Sequence, residues 1–230
     1  MQKDNSTTTQ VVIIGAGLTG LTTAYWLSRK GIPVHVVEAD TRIGGQIQTN
    51  HKNNYIFETG PTTGSVSTPE VAELMNDLAV TSGGSCVLET APDSSKRRLI
   101  WKGNRFHDLP SSPVGGLTTP LFRWTDKLRI LGEPWRKKGG DGEIERLVIG
   151  YLHEMLKFPA EATPDFIHIS RHRHAIPQYD VNSGRRFEAV GQIEREYQGL
   201  VLGGNLRDGI GMAHRITQAT NIAKEIIKSI

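Results

Sequence analysis

Residues 11–40 read VVIIGAGLTGLTTAYWLSRKGIPVHVVEAD, and the pattern within this stretch decides the fold. The β-branched run Val11–Ile14 predicts a strand that is buried on both faces. Leu21–Lys30 is rich in helix-forming residues, and Gly31 follows it as a C-cap. A second β-branched run, Val34–Val37, predicts another strand. This order of strand, helix and strand predicts a βαβ unit, and hence an α/β fold with a parallel sheet.

Three glycines in the spacing G-x-G-x-x-G separate the first strand from the helix. Gly15 permits the tight turn, Gly17 leaves the backbone bare for a diphosphate, and Gly20 lets the helix pack closely on the strand. The helix N-terminus presents free N–H groups and a positive dipole end to phosphate groups. The motif therefore predicts a dinucleotide-binding turn. Its expected contacts are Gly15, Ala16, Gly17, Leu18, Thr19 and Gly20.

An acidic residue, Glu38, ends the second strand. A carboxylate at this position accepts hydrogen bonds from ribose hydroxyls. A cofactor with a 2′-phosphate would bring a second negative charge beside Glu38, so the sequence favours a cofactor without one. We expect Glu38 and its neighbour Ala39 to contact the cofactor.

The composition excludes several other classes of protein. The chain has 230 residues, of which 37% are hydrophobic and 22% are charged, as in a soluble globular protein. Its net charge of +3 is too small to predict nucleic-acid binding. The single cysteine, Cys86, excludes an internal disulfide and a multi-cysteine metal site. No apolar run approaches the roughly 20 residues of a membrane-spanning helix, and the polar start lacks a signal core, so we expect a cytoplasmic protein.

A basic, histidine-rich segment offers the competing hypothesis of a metal site. Its members are His168, Arg171, His172, Arg173 and His174. No cysteine or carboxylate partner is near in the sequence, and Phe166–Ile169 alternates as a strand does. We therefore expect exposed strand residues and no metal site. No side chain stands out as a catalytic base, and Cys86 is expected to be buried rather than nucleophilic.

Two further amphipathic helices are predicted. One is Thr68–Ala79, with Thr68 as its N-cap and Pro69 at its first position, and it is expected to be a packing element. The other has apolar residues at helical spacing over Ile144–Leu156 and follows Asp141, which can act as its N-cap.

The residues after Glu38 resemble a known family. Arg42 is followed by a glycine pair, Gly44-Gly45, and the chain later turns at Gly60-Pro61. This order resembles the superfamily of flavin monoamine oxidases and protoporphyrinogen oxidases, whose FAD domain is Rossmann-like and doubly wound. The resemblance implies that FAD is the cofactor, that the Gly-Gly segment passes beneath its diphosphate and ribityl chain, and that the Gly-Pro turn comes near the isoalloxazine. The implied contacts are Arg42, Gly45, Gln46, Gly60, Pro61, Thr62 and Thr63.

The C-terminal sequence agrees with this resemblance. Leu200–Leu202 predicts a strand, and a helix with one apolar face follows. That face comprises Met212, Ile216, Ala219, Ala223, Ile226 and Ile230. In the superfamily this strand carries a Gly-Asn or Gly-Asp pair, here Gly204-Asn205, and the last helix begins beneath the flavin pyrimidine ring, where its N-terminus stabilises the negative charge of reduced flavin. The implied contacts are Asn205, Ile210, Gly211 and Met212.

Three segments narrow the resemblance to oxygen-dependent protoporphyrinogen oxidases. Ala175–Tyr179 reads AIPQY and matches an Ile-Pro-Gln-Tyr segment of those enzymes. Residues 96–105 resemble their basic, aromatic hairpin, and residues 117–136 resemble the start of their membrane-facing helical region. The resemblance implies oxidation of protoporphyrinogen IX or coproporphyrinogen III by O2 in heme biosynthesis, with peripheral contact to the cytoplasmic membrane.

Residues 133–147, EPWRKKGGDGEIERL, join two segments that are distant in the resembled enzymes, and the middle of the family sequence is not present. We hypothesise that the chain is a shortened form or splice product of such an enzyme, with a natural compact relative as the alternative. This hypothesis predicts FAD binding with little or no oxidase turnover. A non-catalytic flavin-binding module, another FAD amine oxidase or desaturase, and an NAD-binding module remain open.

The resemblance also divides the chain. We expect a disordered tail at 1–10, a first FAD-binding part at 11–80, a membrane-facing remnant of the substrate domain at 81–140, a helix and strand of that domain at 141–175, and a second FAD-binding part at 176–230.

Overall fold

The computed structural model describes residues 11–89, 91–92, 98–109, 140–159, 161–172, 179, 181 and 183–230. The expected N-terminal tail, the membrane-facing segment 117–136 and most of the AIPQY segment lie outside the described residues. The chain divides into two compact units: unit 1 comprises residues 1–88 and 172–230, and unit 2 comprises residues 89–171.

Unit 1 holds the predicted βαβ unit and three further helices. Its elements are β1 (Val11–Ile14), α1 (Leu18–Arg29), β2 (Val34–Val37), β3 (Thr49–Lys52), β4 (Tyr55–Glu58) and α2 (Pro69–Thr81). Unit 2 then contributes β5 (Leu99–Lys102), β6 (Arg105–Asp108) and α3 (Asp141–Leu156). Unit 1 resumes with α4 (Ser183–Glu196) and α5 (Met212–Ser229). Among the helices described, none combines the length and the apolar character needed to cross a membrane.

The parallel sheet confirms the α/β class. β1 and β2 run parallel, with Val11 opposite Val34 and Ile14 opposite Val37. The prediction that β1 is buried on both faces is wrong, because Val12 and Ile14 are 59% and 88% exposed. Within the described residues β1 pairs only with β2, and the outward side chains of β1 line an open cavity instead of a second layer.

The core of unit 1 forms where α1, α2 and α5 meet. Ala219 and Ala223 of α5 are fully buried, and such small residues let α1 approach α5 closely. Leu27 of α1 is also fully buried. The apolar cluster at the junction contains Val71, Leu74 and Ile216, with Leu18, Tyr25, Trp26, Met75, Leu78 and Ala213 packed against it.

Polar contacts fix the three helices around this core. Trp26 Nε1 donates to Thr220 Oγ1 at 3.1 Å, which joins α1 to α5. Asp77 of α2 accepts hydrogen bonds from Tyr25 Oη at 2.5 Å and Arg29 Nε at 2.9 Å. These bonds lower the pKa of the Asp77 carboxyl, the Arg29 hydrogen bond being the largest cause. The helices are therefore held by side chains that are far apart in sequence.

Of the two N-cap predictions, Thr68 is confirmed and Asp141 is wrong. Thr68 is the N-cap residue of α2, but its hydroxyl bonds Thr217 Oγ1 at 2.9 Å instead of a backbone N–H of its own helix. Gly140 is the N-cap of α3, and Asp141 is already the first helical residue. The carboxylate of Asp141 in this first turn still interacts favourably with the positive end of the helix dipole.

The predicted strand Leu200–Leu202 is not formed. The N–H of Leu202 donates to Glu194 Oε1 at 2.7 Å, and the N–H of Gly204 donates to Gln218 Oε1 at 2.8 Å. Side-chain acceptors therefore take the donors that a neighbouring strand would have used.

Two hairpins share one turn geometry. β3 and β4 pair antiparallel around Asn53 and Asn54, whose φ angles are 49° and 63°. β5 and β6 pair around Gly103 and Asn104, with φ angles of 60° and 64°. Positive φ at both central residues is typical of the type I′ turn. The second hairpin was predicted from the resemblance, whereas β3 and α4 were not predicted.

In unit 2, Phe166–Ile169 has no strand pairing among the described residues, so the strand predicted there is wrong. Phe166 and His168 stack instead, with ring centroids 6.5 Å apart. Arg171 forms an ion pair with Asp141 at the start of α3.

Replacing Leu27 by alanine is expected to lower the free energy of unfolding by about 2–5 kcal/mol, because the fully enclosed side chain would leave a cavity. Val80→Ala on α2 is the matched control, since Val80 is 79% exposed. It should change the free energy by no more than about 0.5 kcal/mol. Urea unfolding followed by circular dichroism measures both, and equal losses would contradict this packing.

Candidate functional site

The first glycine turn connects β1 to α1. Gly15 has a φ of 104°, and its N–H donates to the carbonyl of Val37 at 2.7 Å, which ties the turn to β2. A Cβ on Gly20 would lie 2.0 Å from the Gly15 carbonyl oxygen, so only glycine fits there. A Cβ on Gly17 would meet nothing within 4 Å. The turn is therefore tight on the helix side and open beside Gly17.

Glu38 closes the turn from the end of β2. Its carboxylate accepts the N–H of Ala16 at 2.6 Å and the N–H of Asp40 at 2.9 Å. These hydrogen bonds, led by the one from Asp40, lower the pKa of Glu38. A carboxylate has lone pairs beyond these two bonds, so the expected contact with ribose hydroxyls stays a prediction.

The second glycine pair packs directly on the first turn. The N–H of Gly44 donates to the carbonyl of Ala16 at 2.8 Å, and a Cβ on Gly45 would lie 3.2 Å from the Cα of Gly17. Both residues have positive φ angles, 104° and 59°. Backbone therefore lies against backbone at this point, and a side chain on either glycine would be strained.

Arg42 organises the loop that carries this pair. Its Nη2 donates to the carbonyl of Gly45 at 2.5 Å, and its Nη1 lies 3.3 Å and 3.4 Å from the carbonyls of Ile43 and Ile47. The guanidinium of Arg42 thus binds carbonyl groups of its own loop, and its expected contact with the cofactor stays a prediction.

The segment after β4 joins the same region. A Cβ on Gly60 would lie 1.7 Å from the carbonyl oxygen of Gln46, so Gly60 presses against the glycine-pair loop. His172 Nε2 donates to the carbonyl of Thr59 at 2.6 Å. A Cβ on Gly64 would lie 3.0 Å from Met212 Cε, at the start of α5.

A polar network holds the segment between α4 and α5. Glu194 of α4 accepts both Nη groups of Arg207, at 2.7 Å and 2.8 Å, in addition to the N–H of Leu202. This two-pronged bond is the largest cause of the lowered pKa of Glu194. Tyr179 Oη donates to the carbonyl of Asn205 at 3.3 Å. The loop that contains Gly204-Asn205 is thus fixed by side chains from two directions.

Arg215 and Gln218 of α5 complete the network. Both are almost fully buried, at 5% and 6% exposed. Arg215 donates to the carbonyls of Gly204 and Arg207 and to Gln218 Oε1. Gln218 Nε2 donates to Asp208 Oδ2 at 2.6 Å.

These segments surround one cavity of about 800 Å³, a size typical of small-molecule sites. The predicted cofactor contacts that line it are Gly15, Gly17, Leu18, Thr19, Gly20, Gly45, Gln46, Pro61, Asn205, Ile210 and Met212. The predicted contacts that do not line it are Ala16, Glu38, Ala39, Arg42, Gly60, Thr62, Thr63 and Gly211. Three of the latter contact residues of the cavity wall or their neighbours: Glu38 bonds Ala16, Arg42 bonds Gly45, and Gly60 packs against Gln46.

The N-terminus of α5 opens at this cavity. Gly211 is the N-cap and has no side chain to satisfy the first N–H groups of the helix. Ile210 and Met212 on either side line the cavity. The free N–H groups and the helix dipole favour a partial negative charge at this end.

Four network residues escaped the sequence analysis: Glu194, Arg207, Arg215 and Gln218. Arg215 and Gln218 directly precede Ile216 and Ala219 on the apolar face of α5, and a search for apolar spacing passes over polar residues beside the stripe. A charged residue beside the apolar face of a packed helix, such as Arg215, is itself an indication of a buried polar site.

Neither the metal hypothesis nor the expected burial of Cys86 is supported. Among the described residues, no group of three or more His, Cys, Asp and Glu side chains is arranged to hold a metal ion. Cys86 is exposed, so the prediction of a buried thiol is wrong. It follows the end of α2, where its N–H donates to Ser82 Oγ at 2.9 Å and its side chain lies outside the core.

Several known proteins are similar in sequence to part of this chain. The family model described as flavin containing amine oxidoreductase matches residues 18–164. Protoporphyrinogen oxidase 2 of Arabidopsis thaliana is 34% identical over 131 residues, which cover 56% of this chain and 25% of that protein. Coproporphyrinogen III oxidase of Staphylococcus aureus is 30% identical over 148 residues, covering 58% of this chain and 30% of that protein. The chain thus matches between a quarter and a third of the length of these curated relatives.

A solved structure of putrescine oxidase bound to putrescine is also similar. It shares 33% sequence identity over 30% of this chain and 15% of its own, with a TM-score of 0.28.

The two glycines at the ends of the first helical turn make a matched pair for substitution. Gly20→Ala is expected to lower the free energy of unfolding by about 1–3 kcal/mol, because its Cβ would overlap the Gly15 carbonyl. Gly17→Ala should change it by no more than about 0.5 kcal/mol, since its Cβ would enter open space. Urea unfolding without added ligand measures both. A destabilised Gly17→Ala protein would contradict the geometry of the turn.

The ion pair between Glu194 and Arg207 predicts a pH dependence. The folded-state pKa of Glu194 is lowered, so its contribution is fully present above the unfolded value of about 4.3 and is lost as the pH falls through the folded value. Glu194→Gln should therefore be less stable than the wild type by about 1–3 kcal/mol at pH 7, with the difference shrinking below about pH 4. Unfolding free energies from pH 3 to pH 7 measure this difference. A difference that is constant with pH would exclude the ion pair as its source.

Proposed function

Because the chain belongs to the flavin containing amine oxidoreductase family, we propose that unit 1 binds FAD in its cavity. Family membership confirms the recognition of this flavin superfamily, the prediction of FAD as cofactor and, at the level of the family, the prediction of a flavin-dependent oxidoreductase. The observation that carries the proposal is that the two glycine segments, the Gly-Pro turn and the start of α5 line one cavity, although they are far apart in sequence.

The cavity fits the phosphate part of FAD. The space beside Gly17 is open, and the first turn of α1 adjoins it with free N–H groups. The backbone of Gly44-Gly45 packs against that turn from the other side. We assign the diphosphate to this position and the adenosine ribose to the side of Glu38 and Ala39, in a Rossmann-like domain.

We assign the flavin ring to the other end of the cavity. Ile210, Gly211 and Met212 begin α5 there, and the segment Gly60–Thr63 is joined to the same wall through Gln46. When bound, the isoalloxazine would accept the electrons of the substrate. The residues of the chain supply the positive end of a helix dipole beside the ring, which favours added electron density on it.

For the full-length enzyme from which this chain is proposed to derive, the proposed substrate is protoporphyrinogen IX or coproporphyrinogen III. The proposed acceptor is O2, and the reaction belongs to heme biosynthesis. The two relatives described above carry those substrates in their names. Porphyrinogen oxidation requires a macrocycle C–H held against the flavin in a site that excludes water. The middle of the family sequence, which would build most of that site, is missing in our hypothesis of a shortened chain. We therefore propose FAD binding with little or no turnover, which makes a non-catalytic flavin-binding module the second candidate.

The assignment of residue ranges to FAD binding and to the substrate domain is also a proposal. We assign residues 11–80 and 176–230 to FAD binding, and residues 81–140 and 141–175 to the remnant of the substrate domain. A cytoplasmic location with peripheral membrane contact through the basic segments is proposed from the family resemblance.

FAD titration of the purified chain tests the proposal. We expect a flavin absorption spectrum from the bound cofactor, and Gly17→Ala should weaken FAD binding by about 10- to 100-fold while leaving the free energy of unfolding unchanged, because a methyl group would occupy the diphosphate position. Gly184→Ala on α4, whose Cβ would also meet nothing within 4 Å, is the control and should bind FAD normally. A colourless wild type that takes up no FAD would contradict the proposal.

Turnover is tested separately with the FAD-loaded chain. Aerobic incubation with either porphyrinogen should produce no more fluorescent porphyrin than free FAD does. Rapid porphyrin formation, accompanied by hydrogen peroxide, would overturn the proposed loss of activity and leave the FAD site intact.

A further inference from the structure

Arg215 is a buried cation that forms no ion pair with any residue the structure describes. It lies in the first turn of α5 and is 5% exposed. Its guanidinium donates to the carbonyls of Gly204 and Arg207 and to the amide oxygen of Gln218, all of which are neutral acceptors. Its Nε is buried and has no hydrogen-bond partner among the described residues.

The acid nearest in this network does not neutralise it. Asp208 attracts Arg215 electrostatically, but its carboxylate accepts a bond from Gln218 Nε2 at 2.6 Å and lies 3.7 Å from Nε of Arg207. No ion pair of Arg215 is found in the part of the chain that the structure describes. A guanidinium stays protonated in proteins, so its burial has an energetic cost that an anion would relieve. The same burial lowers the pKa of Arg215.

Arg215 faces the cavity in which FAD is proposed to bind. It is the one charged residue among those that line this cavity within the described residues. Two other cations nearby have a carboxylate neighbour: Nε of Arg42 lies 3.9 Å from Asp40 Oδ2, and Arg207 is paired with Glu194. Among the described residues, the cavity lining therefore contains a single cation, and that cation has no ion pair.

Among the groups of FAD, the contacts of Arg215 favour the diphosphate as its partner. A Cβ on Gly203 would lie 3.3 Å from Thr19 Cγ2 and 3.6 Å from Gln218 Oε1, and that same oxygen accepts from Arg215 Nη1 at 2.8 Å. Arg215 is thus connected through Gln218 and Gly203 to Thr19 in the first turn of α1, whose free N–H groups face the proposed diphosphate position.

We propose that Arg215 is the charge partner of the FAD diphosphate, acting across the cavity from the N-terminus of α1. The inference rests on the proposed FAD site and adds a contact from α5 that the glycine motif does not contain. The carbonyls of Gly204 and Arg207 hold the guanidinium of Arg215 in place. The diphosphate would supply the negative charge that no ion pair among the described residues provides.

The test compares FAD with riboflavin, which carries the same ring and no diphosphate. Flavin fluorescence titrations use the full chain as wild type, Arg215→Met, Arg215→Lys and Arg185→Met, an exposed residue of α4 as control. Arg215→Met should weaken FAD binding by about 10- to 100-fold, and riboflavin binding by less than about threefold. Arg215→Lys should retain part of the preference for FAD, and Arg185→Met should retain all of it.

The outcomes separate this inference from the proposed function. A wild type that binds neither flavin overturns both. If the wild type prefers FAD and Arg215→Met weakens FAD and riboflavin by the same factor, Arg215 only supports the loop, and this inference alone is overturned. Should Arg215→Met fail to fold, Arg215→Lys and Arg215→Gln decide the matter, because the two differ in charge: an equal preference for FAD in both overturns the inference.

Discussion

The cavity of unit 1 depends on one contact between two stretches of bare backbone. The N–H of Gly44 donates to the carbonyl of Ala16, and Gly45 lies against the Cα of Gly17. A side chain on either Gly44 or Gly45 would be strained in its positive-φ conformation, and one on Gly17 would occupy the open space beside the turn. This contact brings the loop after β2 under the turn before α1, and the loop in turn carries Gln46, against which Gly60 packs. At this point the walls of the cavity are thus aligned by contacts between main-chain atoms.

Charge is distributed unevenly around this backbone frame. Glu38 and Glu194 both act on backbone N–H groups, one behind the first glycine turn and one behind the Gly204-Asn205 loop. Both carboxylates lie outside the cavity lining, whereas the guanidinium of Arg215 lies within it. The two carboxylates therefore stabilise the loops around the cavity, whereas Arg215 lines the cavity itself. Such an arrangement suits an anionic ligand, because the acids that could repel it are directed into hydrogen bonds elsewhere.

The parts of the fold that could be predicted from the sequence are those set by local physics. β1, α1 and β2 follow from β-branched runs, helix formers and glycine spacing, and α5 follows from its apolar stripe. The predicted strand Leu200–Leu202 is absent because the N–H of Leu202 donates to Glu194 and that of Leu200 donates to the carbonyl of Tyr197. The apolar pattern of the segment does not reveal either bond. Arg215 was missed for a related reason: its role depends on a loop and a cavity that only tertiary packing brings to it. The glycines of the site were identified because glycine itself reports a backbone constraint.

Binding and catalysis differ in the same way, because the first depends on short local motifs and the second on tertiary packing. The proposed FAD site draws on short motifs at the two ends of the sequence, and all of them lie within unit 1. A site of this kind needs only that the two ends pack together, which the buried interface of α1 with α5 achieves. Oxidation of a macrocycle needs in addition a dry enclosure of matching shape, and such an enclosure must be built from side chains of many segments. The proposed loss of a central segment would therefore remove the enclosure and leave the backbone frame. For this reason flavin binding can persist in a chain that no longer positions a substrate.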